Sequence, residues 1–312
     1  MGQFYVGVLY IVLSAAAFGV MPIFAVYAYQ GGSNVVSLLA LRFLMAAVLF
    51  LLVILFTRKR WGLTVKQVLS LFVMGGILYT VQSFSYLSAV QYIPASLAAL
   101  LLYTFPIYVA ILAYFIEKEA LNKQTVFSIL LSIGGLVLIL GTSFGQINLM
   151  GIMLALLAAV VYAVYIITGN RLIKDIPPLF ATVCISFFAS LSFFTVGWST
   201  NQLHFNFTEG AWWSIAGIAV ISTVVAMFTF FKGLELIGST KSSILSTVEP
   251  VITIAASTFL LKEHITWMQL LGGVAVLTGA LLVVATRSKS AEDSSGDVEN
   301  SEVSKVKVKK VQ

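Results

Sequence analysis

Residues 102–119, LYTFPIYVAILAYFIEKE, and residues 246–263, STVEPVITIAASTFLLKE, decide the fold when one is laid on the other. Pro106 then falls on Pro250, Phe115 on Phe259 and Lys118-Glu119 on Lys262-Glu263, at a constant separation of 144. The register holds outward from there: Gly135 meets Gly279, and at the far end Gly7 meets Gly151. Each match alone is a weak signal. A register shared across both ends of a unit of about 140 residues reads as an internal duplication, a feature of many transporter folds.

Both units are mostly apolar. Of 312 residues, 60% are apolar and 10% charged, and the mean hydropathy is +1.02. A water-soluble chain of this length could not cover its surface with so few polar groups, and its apolar runs reach the ~20 residues that cross a bilayer. The expected fold class is therefore an all-α polytopic membrane protein of ten transmembrane helices. They are placed near 5–27, 34–56, 67–89, 93–115, 124–143, 149–169, 178–199, 211–231, 241–261 and 267–287. Helices are required because lipid offers backbone N–H and C=O groups no partners. The alternating segments of ~10 residues that mark a barrel are missing. Residues 1–4 carry no basic side chain, so the first run reads as a retained helix rather than a cleaved signal.

Five helices per unit is an odd number, so the second unit enters the membrane from the opposite side. The two units, 1–145 and 146–287, are expected to form inverted five-helix repeats, as secondary transporters often do. Basic residues set the orientation. With a cytoplasmic N-terminus, twelve Lys and Arg fall inside: Arg58, Lys59, Arg60, Lys66, Lys118, Lys123, Arg171, Lys174, Lys232, Lys241, Arg287 and Lys289. Only Lys262 falls outside. The net charge of +6 is thus a topology signal and not the footprint of a nucleic-acid partner. Residues 288–312, rich in Ser, Glu, Asp and Lys, are expected to be a disordered cytoplasmic tail. The single cysteine, Cys184, lies in an apolar run and reads as a packing residue.

These residues resemble the EamA-type members of the drug/metabolite transporter superfamily. The first helix carries Phe18-Gly19-Val20-Met21-Pro22, and the second Leu41-Arg42-Phe43. The ninth carries Glu249-Pro250, followed by Lys262-Glu263 and a Gly-rich last helix from Gly272 to Gly279. The resemblance spans residues 1–287. It implies proton-coupled or facilitated movement of amino acids, other metabolites or drugs, often as export. It also implies a central cavity lined mainly by helices 1, 3, 4, 6, 8 and 9. A small-molecule substrate, the lipid bilayer and protons are the implied partners, in a bacterial plasma membrane with both termini cytoplasmic. No cofactor or metal is expected.

Glu249 is the sharpest candidate for chemistry. It lies about eight residues, or ~12 Å, into its predicted span. An ionised carboxylate at that depth costs several kcal/mol unless it is paired or wetted. Proton coupling or capture of a substrate cation is one reading. The other is a structural carboxylate held by neighbours such as Ser242, Ser243 and Ser246. Arg42, equally deep, could pair with Glu249, grip a substrate carboxylate, or serve as a structural charge tying helix ends together. Pro106 and Pro250 remove backbone donors at matching places and aim strain at the carbonyls of Leu102 and Ser246. Broken helices at equivalent positions in two repeats point to a transporter's binding site, and Pro22 could bend the first helix likewise.

Tyr79, Gln82, Ser83 and Tyr86 share one helical face, as do Tyr162 and Tyr165, and Tyr103 lies in the fourth helix. Such faces suit a substrate-binding cavity or interhelical contacts. Gly134, Gly135, Gly272, Gly273, Ala275 and Gly279 permit close helix packing, within the chain in the preferred reading; oligomeric state stays open. An enzyme is not expected. The two histidines, His204 and His264, fall in separate loops, and H-E-x-x-H and G-x-S-x-G are both missing. A receptor or a lipid scramblase is the alternative to a carrier.

Overall fold

A computed structural model of the chain describes residues 2–57, 62–117, 123–141, 148–172 and 176–282, with Ala285. The expected disorder of the tail and the inner-loop charges at 58–60 and 118 lie outside the described residues, as does Glu119. Every regular element among the described residues is helical. In the first half, α1 (Gly2–Gly19) and α2 (Met21–Gln30) precede α3 (Val35–Thr57). Then α4 (Val65–Phe72) runs through a π-helical segment, Val73–Tyr79, into α5 (Thr80–Ala89). Next come α6 (Ala95–Leu102), α7 (Phe105–Glu117) and α8 (Lys123–Gly141).

The second half opens with α9 (Leu149–Leu172) and α10 (Pro178–Ser199). There α11 (Glu209–Ala219) runs through a second π segment, Val220–Val225, into α12 (Ala226–Ser246). It closes with α13 (Val248–Leu260) and α14 (Trp267–Leu282).

Seven helical stretches are long and apolar enough to cross a membrane: Gln3–Gln30, Val35–Phe56, Val65–Ala89, Ala95–Ile116, Leu149–Gly169, Leu179–Ser199 and Glu209–Ile237. Lys123–Ile139, Val248–Leu260 and Trp267–Leu282 are shorter apolar helices. This is an integral membrane protein.

Each candidate hinge proline follows a helix break by two or three residues. Val20 interrupts α1 and α2 ahead of Pro22, and Tyr103-Thr104 separates α6 from α7 ahead of Pro106. Thr247 separates α12 from α13 ahead of Pro250. A proline lacks the amide that would continue the ladder and crowds the carbonyl four residues earlier, so the chain turns before it. The same physics explains one departure from the sequence reading. The predicted loop at 232–240 is helical backbone, and α12 continues to Ser246. Gly233, Gly238, Ser239 and Thr240 lower helix propensity without forbidding the helix, whereas Pro250 enforces the break.

The halves pack by exchange. Helix α1 lies along α12, α5 along α9, and α3 on α10. Gly7 faces Leu236 and Ile237, while Gly151 faces Tyr92 and Ile93; adding 144 to the second pair gives the first. Gly135 backs onto Gly272, and its equivalent Gly279 backs onto Ser128 and Ser132. Across this seam Ser132 Oγ donates to the carbonyl of Val276, 144 residues away, at 3.3 Å. The small residues of α8 and α14 at these places therefore pack within the chain.

One end of the bundle is tied by loops. Asn34 Nδ2 donates to the Gln202 carbonyl at 2.6 Å, and Thr208 N to the Gly31 carbonyl at 3.0 Å. Glu263, in the loop before α14, accepts from Ala95 N at 2.7 Å, Ser96 N at 3.2 Å and Ser96 Oγ at 2.6 Å. Its carboxylate thereby satisfies donors left open at the start of α6. Trp198 (81% exposed), Trp212, Trp213 and Trp267 (81%) all emerge at this end.

Candidate functional site

The break at Thr247 has an electrostatic consequence. It turns a position deep in the bundle into the first turn of α13, where Glu249 sits. The open N–H groups and positive dipole end of a helix N-terminus favour a carboxylate. The half-buried Glu249 has a single described side-chain partner. The Tyr103 hydroxyl lies 2.8 Å from Glu249 Oε2 and 3.1 Å from the Ser246 carbonyl, donating between them. Tyr103 itself stands in the break between α6 and α7, so the interrupted helices of the two halves meet through this hydroxyl. The third break closes on the same point. Thr253 Oγ1 donates to the Gly19 carbonyl at 2.8 Å, and a Cβ on Gly19 would stand 2.8 Å from the Glu249 carbonyl.

From Tyr103 a row of aromatic rings crosses the bundle. Tyr103 meets Phe105 edge-on (centroids 5.8 Å), and Phe105 meets Tyr162 at 4.7 Å. Tyr162 stacks on Tyr165 at 6.1 Å, and Tyr165 tilts against Tyr79 at 5.4 Å. Tyr79 meets Phe43 at 5.3 Å, and the Arg42 guanidinium lies over that ring at 4.7 Å. The row thus has a carboxyl at one end and a cation at the other. Ring faces attract cations and edges attract anions, so such a wall can hold an amphiphile with charged groups.

Five predicted residues, Tyr79, Tyr103, Tyr162, Tyr165 and Glu249, join this arrangement. Gln82 and Tyr86 share the predicted face of α5 but are buried. Ser83 Oγ donates to Gln82 Oε1 at 3.2 Å, and Tyr86 packs in the hydrophobic core. No ion pair joins Arg42 to Glu249; the ion pair among the described residues is the exposed Lys232–Glu235, at 3.0 Å. Arg42 is 2% exposed, and its Nε donates to Thr223 Oγ1 at 3.1 Å. Ser246 Oγ turns back to the Ser242 carbonyl, and the Ser243 side chain lies outside the described residues. Pro22, Pro106 and Pro250 are buried behind their breaks. A cavity of ≈ 410 Å³ at the Trp-rich end, lined by Tyr27, Gln30, Val90, Leu261 and Lys262 among others, contains none of these residues.

Two participants were not singled out from sequence, Phe105 and Thr223. Phe105 is the repeat equivalent of Glu249, 144 residues earlier, and Thr223 falls one residue short of the equivalent of Thr80. Carrying every site residue across the repeat would have found both, since Glu249 falls on Phe105 and Tyr79 on Thr223.

The family model described as the EamA-like transporter family matches residues 5–141 and 149–285. YetK of Bacillus subtilis (strain 168), described as an uncharacterized transporter, is 26% identical over 260 residues, covering 81% of this chain and 78% of its own length. An uncharacterized transporter of Archaeoglobus fulgidus is 26% identical over 276 residues, 87% of this chain and 94% of that one. YyaM, another uncharacterized transporter of B. subtilis, is 29% identical over 251 residues, 78% of this chain and 82% of its own. A crystal structure of a further protein superposes with a TM-score of 0.63 over 91% of this chain and 98% of that one. It is 17% identical and speaks for the fold alone.

Proposed function

We propose that this chain, which belongs to the EamA-like transporter family, is a secondary carrier that exports amino acids, related metabolites or drugs by alternating access around the Tyr103–Glu249 site. In this reading ten helices cross the bilayer as two inverted five-helix repeats, the shorter α8, α13 and α14 each making one crossing. The observation that carries it is the meeting of helix breaks from both halves at one carboxyl and one phenol, since paired interruptions at matching places mark transporter binding sites. The exchange of equivalent contacts at Gly7 and Gly151 supports two halves of similar energy, as alternation requires.

Tyr79, Gln82, Tyr86, Tyr103, Tyr162, Tyr165 and Glu249 then bind substrate, and Glu249 also carries the coupling proton. Pro22, Pro106 and Pro250 act as hinges, and Arg42 is a structural charge. The charge asymmetry of the loops and the tryptophans gathered at one end, as in an interfacial belt, support a plasma-membrane protein with cytoplasmic termini.

Flux of a mixed panel of amino acids, organic cations, nucleosides and sugars into proteoliposomes, with and without a pH gradient, tests this. Saturable, gradient-driven flux is expected for the wild type, and Glu249→Gln is expected to uncouple it from the gradient. Flux indifferent to the gradient would remove the proton role of Glu249. No flux from folded protein would sink the carrier reading in favour of a receptor or scramblase.

A further inference from the structure

The two π segments are held in the same way. Thr80 Oγ1 donates to the Gly75 carbonyl at 2.8 Å, and Thr223 Oγ1 to the Ile218 carbonyl at 3.0 Å. Both bonds reach back five residues, the pitch of a π turn. Other hydroxyls that bond their own helix reach back three or four, as Ser257 does to Ile254, Ser128 to Gln124 and Thr258 to Ile254. Each threonine therefore fastens one wide turn. A wide turn inserts an extra residue, so it decides which face the following helix shows to its neighbours. In the first half that helix is α5, whose face begins at Tyr79.

The fastenings differ in one respect. Thr223 is fully buried, and its hydroxyl, while donating to Ile218, also accepts from Arg42 Nε. The same guanidinium lies over the ring of Phe43, and that ring meets Tyr79, at the end of the other π segment, edge-on at 5.3 Å. Arg42 thus bonds the wide turn of the second half and, through Phe43, bears on the end of the first. The repeat offset places Ser186 where a second arginine would stand, and its short side chain cannot span such a distance. The brace exists on one side only.

We propose that Arg42 and Thr223 are positioning residues of the carrier. Arg42 stands at the end of the aromatic row opposite Glu249, fixes the second π turn through Thr223, and holds Tyr79 of the first through the Phe43 ring, so that the two segments move as one. This rests on the carrier reading for its meaning in transport, but the mechanical link is testable without transport. The planar guanidinium serves two partners in fixed directions, which a lysine point charge does not.

The test compares hydrogen–deuterium exchange of full-length wild type, Thr223→Val, Thr223→Ser and Arg42→Lys in lipid nanodiscs, with flux measured on the same preparations. Thr223→Val keeps the shape and removes the hydroxyl. It is expected to speed exchange about 10-fold in 218–225 and, across the brace, in 75–82, as loss of one buried bond of ~1.4 kcal/mol would. Thr223→Ser is expected to stay near wild type at both, and Arg42→Lys to follow Thr223→Val. In flux, Thr223→Val is expected to raise KM about 10-fold with Vmax within about twofold.

Faster exchange confined to 218–225 would overturn the proposal. So would Ser and Val variants that behave alike, or an Arg42→Lys protein that matches wild type. If Thr223→Val does not fold, Arg42→Lys carries the test with the same readouts. A wild type that moves no solute defeats the carrier reading, and the exchange data still decide whether the brace joins the two segments.

Discussion

The Tyr103 hydroxyl serves two acceptors with one proton, and its ring starts the aromatic row, so the two duties can be separated by removing a single oxygen. Tyr103→Phe keeps the ring against Phe105 and takes the donor from Glu249 and the Ser246 carbonyl. Leaving buried acceptors without their donor costs about 1–3 kcal/mol. The variant is expected to unfold at a lower temperature than wild type in detergent, and unchanged melting would show that solvent already serves those oxygens. Glu249, Tyr103 and Tyr162 could be found in the sequence because a carboxylate or a cluster of phenols is costly against lipid and therefore conspicuous. Phe105 and Thr223 are not conspicuous in themselves, since phenylalanine and threonine are unremarkable in an apolar helix, and only the 144-residue offset from Glu249 and Tyr79 points to them. The partner of Glu249 was also hidden: Ser246 bonds its own backbone, and the hydroxyl that donates to the carboxyl comes from 146 residues away.

The elements divide along the same line. The breaks ahead of Pro22, Pro106 and Pro250 were readable because proline removes a donor whatever surrounds it. The π segments were not, because no residue type compels a wide turn; tertiary partners such as Ser192, whose hydroxyl donates to the Gly76 carbonyl at 2.9 Å, satisfy groups the turn sets free. The continuation of α12 past Gly238 has a similar cause, weak local preferences losing to the helix already begun. Packing of α8 on α14 makes the sharpest prediction at this scale. A Cβ at Gly135 would stand 2.5 Å from the Gly272 carbonyl oxygen, while one at Gly134 would meet nothing. Gly135→Ala is expected to destabilise the protein by about 1–3 kcal/mol and Gly134→Ala by no more than about 0.5 kcal/mol. Equal denaturation midpoints for the two would refute this close approach.

For the molecule as a whole, duplication was the most legible property, since an offset of 144 needs only the sequence to be seen. The same offset shows where the halves differ, a glutamate in one and a phenylalanine in the other, an arginine answered by a serine, but not what those residues touch. The tryptophans differ between the two ends as well. Of five in the chain, Trp198, Trp212, Trp213 and Trp267 stand exposed at one end of the bundle, while Trp61 lies outside the described residues. Indole fluorescence is consequently a built-in gauge of which way each molecule entered a vesicle. Iodide added outside is expected to quench most of the emission from molecules whose tryptophan-rich end faces out. It should quench little from the opposite population until the vesicles are made leaky. The ratio of the two signals gives the orientation of a preparation without labels, so a rate measured on mixed vesicles can be assigned to a direction.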